Sequence, residues 1–185
     1  NDLKTKISKA RYESDQANNI LTQLQNRRQV LENMMKQPFA HQQGVRSVMQ
    51  AKNSLSGVYG VVSELLIAHA DKALAVNAAL GGSIYQIITK NEADARNAIS
   101  FLKRNRSGRA TFLPLSVCHP RKMNEQVITI ASTSPGFLGF ASECVDCKEI
   151  FDPVKERLLG NVIVVDTLQN ANETAKRLRY AYKIV

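Results

Sequence analysis

A chain of 185 residues, 44% hydrophobic and 22% charged, can bury a core sufficient for one or two domains, and this composition excludes wholesale disorder. Its longest apolar tract, Val58 to Leu80, is interrupted by Glu64, His69, Asp71 and Lys72, so it does not read as a membrane-spanning helix. The net charge of +9 is spread along the chain, with seven basic against four acidic residues before Gly44 and eighteen against twelve from Gly44 onward. Such an excess favours an anionic partner, nucleic acid being the commonest.

Residues 1–43 are predicted to form a coiled-coil arm and a turn. Leu3, Ile7, Ala10, Ser14, Ala17, Leu21, Leu24, Arg28, Leu31 and Met35 follow one another at steps of four and three. That is the 3.5-residue seam of a coiled coil, weakened at Ser14 and Arg28. No Gly or Pro occurs before Pro38, and Pro38 to Gln43 is expected to end the helix. The seam needs a partner helix, and there is no second heptad run. The partner is therefore expected beyond Val185 or in another molecule. A chain that opens on Asn1 rather than Met reads as part of something longer.

From Gly44 the pattern changes to short helices, short strands and glycines. Gly57 to Leu66 reads as two glycines ahead of a helical run. Neither G-x-x-x-x-G-K-[ST] nor G-x-G-x-x-G occurs, so neither kind of nucleotide loop is supported. Lys72–Lys103 and Asp152–Arg179 echo each other as helix, Leu-Gly stop, strand, turn and helix. Leu80-Gly81 aligns with Leu159-Gly160, and both glycines are expected at positive-φ helix caps. The strands "SIYQIIT" and "NVIVVD" are apolar on both faces, as buried strands are. Asn91 and Asn170 stand near the following N-caps. Two α/β lobes follow, 44–122 and 123–185, the second ending at Tyr182–Val185 in the opening of a strand.

"GRATFLPL" (Gly108–Leu115) reads as an edge strand: Gly108 allows a sharp entry, and Pro114 has no N–H for a ladder. After Arg109 the segment is uncharged, which leaves the edge unprotected. Lys103, Arg104, Arg106, Arg121 and Lys122 suit phosphate contact without base readout; the plainer reading is a solvated basic face. Arg109, also in this run, is expected instead in a structural bidentate contact. Among Cys118, Cys144 and Cys147, "CVDC" has zinc or redox spacing, but only Cys118-His119 could complete a zinc site. Partly buried thiols in a reducing, intracellular setting are the expectation. His69 is expected in a helical apolar run, and Asp166 as a turn or cap residue.

"GVRSVMQAKNSLSGVYGVVSELL", "AVNAALGGSIYQIIT", "ARNAISFLKRNRSGRATFLPLSV", "GFLGFASECV", "LLGNVIVVD" and "YKIV" together resemble the hinge domain of SMC (structural maintenance of chromosomes) proteins, closest to the bacterial condensin type. The resemblance covers nearly all of residues 44–185. It implies an α/β (α+β) fold of two lobes with small mixed sheets, carried at the bend of a long antiparallel coiled coil. It further implies a homodimer joined through sheet edges and glycines. Gly108, Ala110, Thr111, Phe112 and Leu113 become interface candidates by β-augmentation, and Gly136, Phe137, Leu138 and Gly139 of "SPGFLGF" a second set. In such proteins ATP and magnesium act at distant head domains, which also engage a kleisin subunit and its companion; no head motif is present, so no cofactor and no catalysis are expected here. A cytoplasmic, nucleoid-associated setting is implied. The rival reading is a ligand-sensing or enzymatic α/β domain on a coiled-coil stalk.

Overall fold

The computed structural model describes residues 2–36, 39 and 41–185, which fall into two compact units, 1–41 and 42–185. The first holds one helix, α1 (Asp2–Lys36), of 35 residues, about 52 Å long at 1.5 Å per residue. Pairs at i,i+4 run along it, with Lys9–Glu13 at 3.9 Å and Arg28–Glu32 at 3.3 Å. Each is worth only about 0.2–0.5 kcal/mol. Leu3, Ile7, Leu21 and Leu24 of the seam are exposed, so the helix carries a bare apolar stripe. The side chains of Leu31 and Met35, and the turn residue Pro38, lie outside the described residues.

The second unit opens with α2 (Gln43–Gln50), which buries Val45 and Val48 at helical spacing. β1 (Val58–Val61) leads into α3 (Val62–Leu65), a single turn, and β2 (Ile67–Ala68). Next come α4 (Ala73–Leu80), β3 (Ile87–Thr89), α5 (Glu92–Arg104) and β4 (Phe112–Pro114). The remainder is α6 (Glu125–Ser132), β5 (Phe137–Phe140), β6 (Val145–Asp146), α7 (Asp152–Leu159), β7 (Val162–Val165), α8 (Leu168–Arg177) and β8 (Lys183–Ile184). This is the expected α/β class, with small mixed sheets and covering helices. Several local expectations change. Ser83 to Tyr85 form part of a 3-10 turn rather than a strand, closed by the Gln86 N–H on the Ser83 carbonyl at 3.0 Å. His69 follows β2 rather than lying in a helix, and its Nε2 stands 3.3 Å from Asp146 Oδ2.

Two three-stranded sheets share one plan. β1-β3-β4 and β5-β7-β8 each join an antiparallel pair to a parallel one. Each antiparallel pair bulges at its first strand, between Val58 and Gly60 and between Phe137 and Gly139. Gly57 and Gly136 precede these strands, each at φ 70°. A Cβ at Gly57 would collide with the Asp94 carboxylate, and one at Gly136 with Asp166 and Asn170. The echo therefore begins earlier than the sequence suggests, with Gly57-Val58-Tyr59-Gly60 repeated as Gly136-Phe137-Leu138-Gly139.

The later parts of the echo are alike in place and unlike in cause. Gly81 has φ 51° as expected, whereas Gly160 has φ −65°. Space is what requires Gly160: a Cβ there would strike the carbonyl oxygens of Arg121 and Glu156. Asn91 caps α5, its side chain accepting from the Asp94 N–H at 2.9 Å. Thr167, not Asn170, caps α8; the Asn170 N–H donates to the Thr167 hydroxyl at 3.3 Å.

Every residue of the central strands β3 and β7 is buried, and each such aliphatic side chain contributes about 1.5–3 kcal/mol. One core cluster unites Val62, Leu80 and Ile88 with Ala141, Val154 and Val162, so the two sheets do not have wholly separate cores. A second cluster contains Met123, Ala131, Ile163, Val165 and Leu178. β2 pairs with β6 across the halves, and the Lys183 ammonium donates to the carbonyls of Ala78 (3.2 Å) and Ala79 (2.7 Å) at the end of α4.

Candidate interface at a free strand edge

The path into β4 is set by two glycines. Gly108 has φ 85°, and the Arg109 backbone then passes against the start of α2, where a Cβ on Gly44 would meet the Arg109 carbonyl. The Ile87 N–H donates to the Thr111 carbonyl at 2.9 Å, and Ile87, Ile88 and Thr89 face Phe112, Leu113 and Pro114 in parallel register. In that pattern Ile87 bonds the residues flanking Phe112, so the Phe112 N–H points away from the sheet. β4 is an edge, with no strand beyond it among the described residues. Leu113 is buried, Ala110 and Phe112 are half-buried, and Gly108 and Thr111 are exposed. No charged side chain lies between Ala110 and Cys118. Arg109 makes no bidentate contact among the described residues: its side chain is exposed, and it is its backbone that packs on α2.

Beside this edge lies a cleft of about 300 Å³ lined by Gln86, Thr111, Phe112 and Leu113, with Arg121, Arg157 and Leu158 opposite. The Arg121 N–H donates to the Glu156 carbonyl at 3.2 Å, fixing it at the end of α7. Arg157 is half-buried on α7. Burial pushes the Cys118 thiol up, and the charge of Arg157 partly offsets this. No acidic residue lines the cleft, and neither guanidinium has an ion pair or hydrogen bond among the described residues. Arg157 was not singled out by the sequence, where it is one charge in the amphipathic run "DPVKERLL".

The second candidate set lies on β5, the outer strand of the other sheet. Phe137 and Phe140 pack edge to face, with ring centroids 5.1 Å apart, against the second core cluster. Gly136 and Gly139 (φ 136°) belong to the bulge shared with β1. Leu138 alone of the set turns outward, 45% exposed. Its counterpart Tyr59 instead stacks edge to face on Phe151, 5.5 Å away.

The basic residues occupy different elements. Lys103 and Arg104 end α5, where their charge complements the helix dipole, and Arg106 follows at φ 48°. All three are exposed. Arg121 lines the β4 cleft, while Lys122 lines a neighbouring cleft that also contains Glu143 and Glu156. Elsewhere, Cys144 is buried and Cys147 half-buried, and burial raises both thiols. No group of three or more His, Cys, Asp or Glu among the described residues is placed to hold a metal. Asp166 accepts from the Asn170 side-chain amide at 2.7 Å, which lowers its carboxyl below the usual range. No described helix is long and apolar enough to cross a membrane.

A family model described as the SMC proteins flexible hinge domain matches residues 55–175. The chromosome partition protein Smc of Bacillus subtilis is 38% identical over 191 aligned residues, covering 100% of this chain and 16% of the relative. The corresponding Lactiplantibacillus plantarum protein is 40% identical over 142 residues, 77% of this chain and 12% of that protein. This chain thus spans a small part of the relatives' length. A crystal structure of an asymmetric dimer of the Geobacillus stearothermophilus SMC hinge domain superposes with a TM-score of 0.80 at 37% identity, covering 98% of this chain and 72% of that one. The Pyrococcus furiosus SMC hinge domain gives a TM-score of 0.58 at 28% identity, over 69% and 66% of the two chains.

Proposed function

We propose, from the premise that this chain belongs to the SMC flexible hinge domain family, that it is the homodimerisation hinge of a chromosome-partitioning ATPase. Residues 44–122 and 123–185 act as its two lobes, and α1 as the root of its coiled-coil arm. The observation carrying this reading is β4, a short uncharged edge strand whose outward N–H at Phe112 has no neighbouring strand. Main-chain pairing with a second molecule supplies what that edge lacks, and Phe112 adds apolar area. That the Geobacillus relative was solved as a dimer supports a dimeric hinge. Gly108, Ala110, Thr111 and Leu113 shape the edge; Leu138 and its bulge form a second contact.

The exposed Lys103, Arg104 and Arg106 support weak, sequence-independent DNA binding by counterion release. The hinge itself is non-catalytic. ATP, magnesium, the kleisin subunit and its companion act on head domains elsewhere in the protein, in the cytoplasm at the nucleoid.

Sedimentation equilibrium at micromolar concentration tests the hinge role: a mass of twice the chain is expected, and a strict monomer contradicts it. Gel shifts at two ionic strengths test the DNA role. Changing Lys103, Arg104 and Arg106 together to Glu is expected to abolish binding at low salt and leave the dimer intact.

A further inference from the structure

The two halves can be compared position by position around the ends of α4 and α7. Leu80 and Leu159 occupy the same place, so Ala78 and Ala79 correspond to Arg157 and Leu158. In the sheets, Val61–Ile87–Phe112 corresponds to Phe140–Ile163–Ile184, which makes Thr111 the counterpart of Lys183. On the β8 side this junction is closed from within, since Lys183 donates to the carbonyls of Ala78 and Ala79. On the β4 side the strand cation is gone and a helix cation has replaced a small residue. Thr111 faces Arg157 across the 300 Å³ cleft, with Arg121 at its rim. Two arginines thus line a concave site with no acid among its lining residues, alongside a strand edge with no strand to pair with among the described residues.

We infer that this cleft receives a carboxylate side chain borne on an extended strand of a second copy of the protein. Arg157 grips it through its fork of N–H donors, and Arg121 adds charge from the rim. The occupant is a strand because three successive residues of the open edge strand's run, Thr111 to Leu113, line the cleft, and an acid because both arginines are cationic and no lining residue is acidic. Half-burial of Arg157 makes the contact stronger than a surface pair, since charge-assisted, bidentate bonds gain as water is excluded. This deepens the dimer reading above and rests on it.

The test measures the dimer dissociation constant of the 185-residue chain by sedimentation, with circular dichroism and thermal midpoint as folding controls. Arg157→Ala is expected to weaken dimerisation about tenfold or more and Arg157→Glu further. Arg157→Lys, which keeps the charge but loses the fork, should fall between wild type and Ala. Raising salt should weaken the wild-type dimer more than the Ala variant. A dimeric wild type whose Ala and Glu variants, still folded, dimerise within twofold of it overturns this inference and leaves the hinge reading standing. Loss of low-salt DNA binding with an unchanged dimer constant also overturns it, assigning the cleft to phosphate. A wild type monomeric at every accessible concentration overturns the hinge reading itself, and the occupant with it.

Discussion

Thr174 shows how the two halves diverge at a single side chain. Its hydroxyl is fully buried on α8 and has no hydrogen-bond partner among the described residues; Ala98, seven residues beyond the cap of α5 as Thr174 is beyond the cap of α8, is likewise fully buried and has no polar side-chain atom. An unsatisfied buried hydroxyl costs about 1–3 kcal/mol. Thr174→Val keeps the branched shape and removes the orphan, so it is expected to raise the thermal midpoint by about 2–4 °C per kcal/mol recovered. An unchanged or lower midpoint in a folded variant contradicts this. At this scale the sequence was readable where a residue type has one dominant use. Asn91 as a cap and Gly108 as a sharp entry both follow from local chemistry. Arg157 and Gly160 were not readable that way, because each acts through a segment far away in the chain: Arg157 through the β4 edge, Gly160 through the backbone of Arg121.

Among the elements, the parallel edge strands β4 and β8 matter most, and they are held differently. β8 is clamped to α4 by Lys183, whose ammonium meets two carbonyls at a helix C-terminus, where positive charge is favoured. Lys183→Met keeps much of the side chain's bulk and removes the donor. It is expected to destabilise the fold by about 1–2 kcal/mol, seen as a lower denaturant midpoint with the slope unchanged. A midpoint equal to wild type would show the clamp to be solvent-screened. The strands β3 and β7 were legible as apolar runs, and α1 as a heptad. β1 was missed because its glycine and bulge break the period-two pattern within four residues. The turn at Ser83–Tyr85 passed for strand because Ile and Tyr favour the pleated state that the backbone there does not adopt.

For the whole molecule, family membership was accessible from the quoted motifs and the likeness of the central strands β3 and β7 from the linear echo, while the full sheet plans and the shared core were not. Clusters such as Val62 and Ile88 with Val154 and Val162 depend on how two similar halves face each other, which no periodicity encodes. The proposed hinge rests on one physical claim, that a second molecule completes the outer edge of β4. The amide of Phe112 reports on it directly, since within one chain that N–H has no strand to bond. Its hydrogen exchange should be followed as the protein is concentrated from below to above its dimer dissociation constant. Exchange that slows markedly with concentration, while surface-loop amides stay fast, is the predicted result. Fast exchange of Phe112 at every concentration, in a sample whose mass has doubled, would place the interface elsewhere and contradict the account.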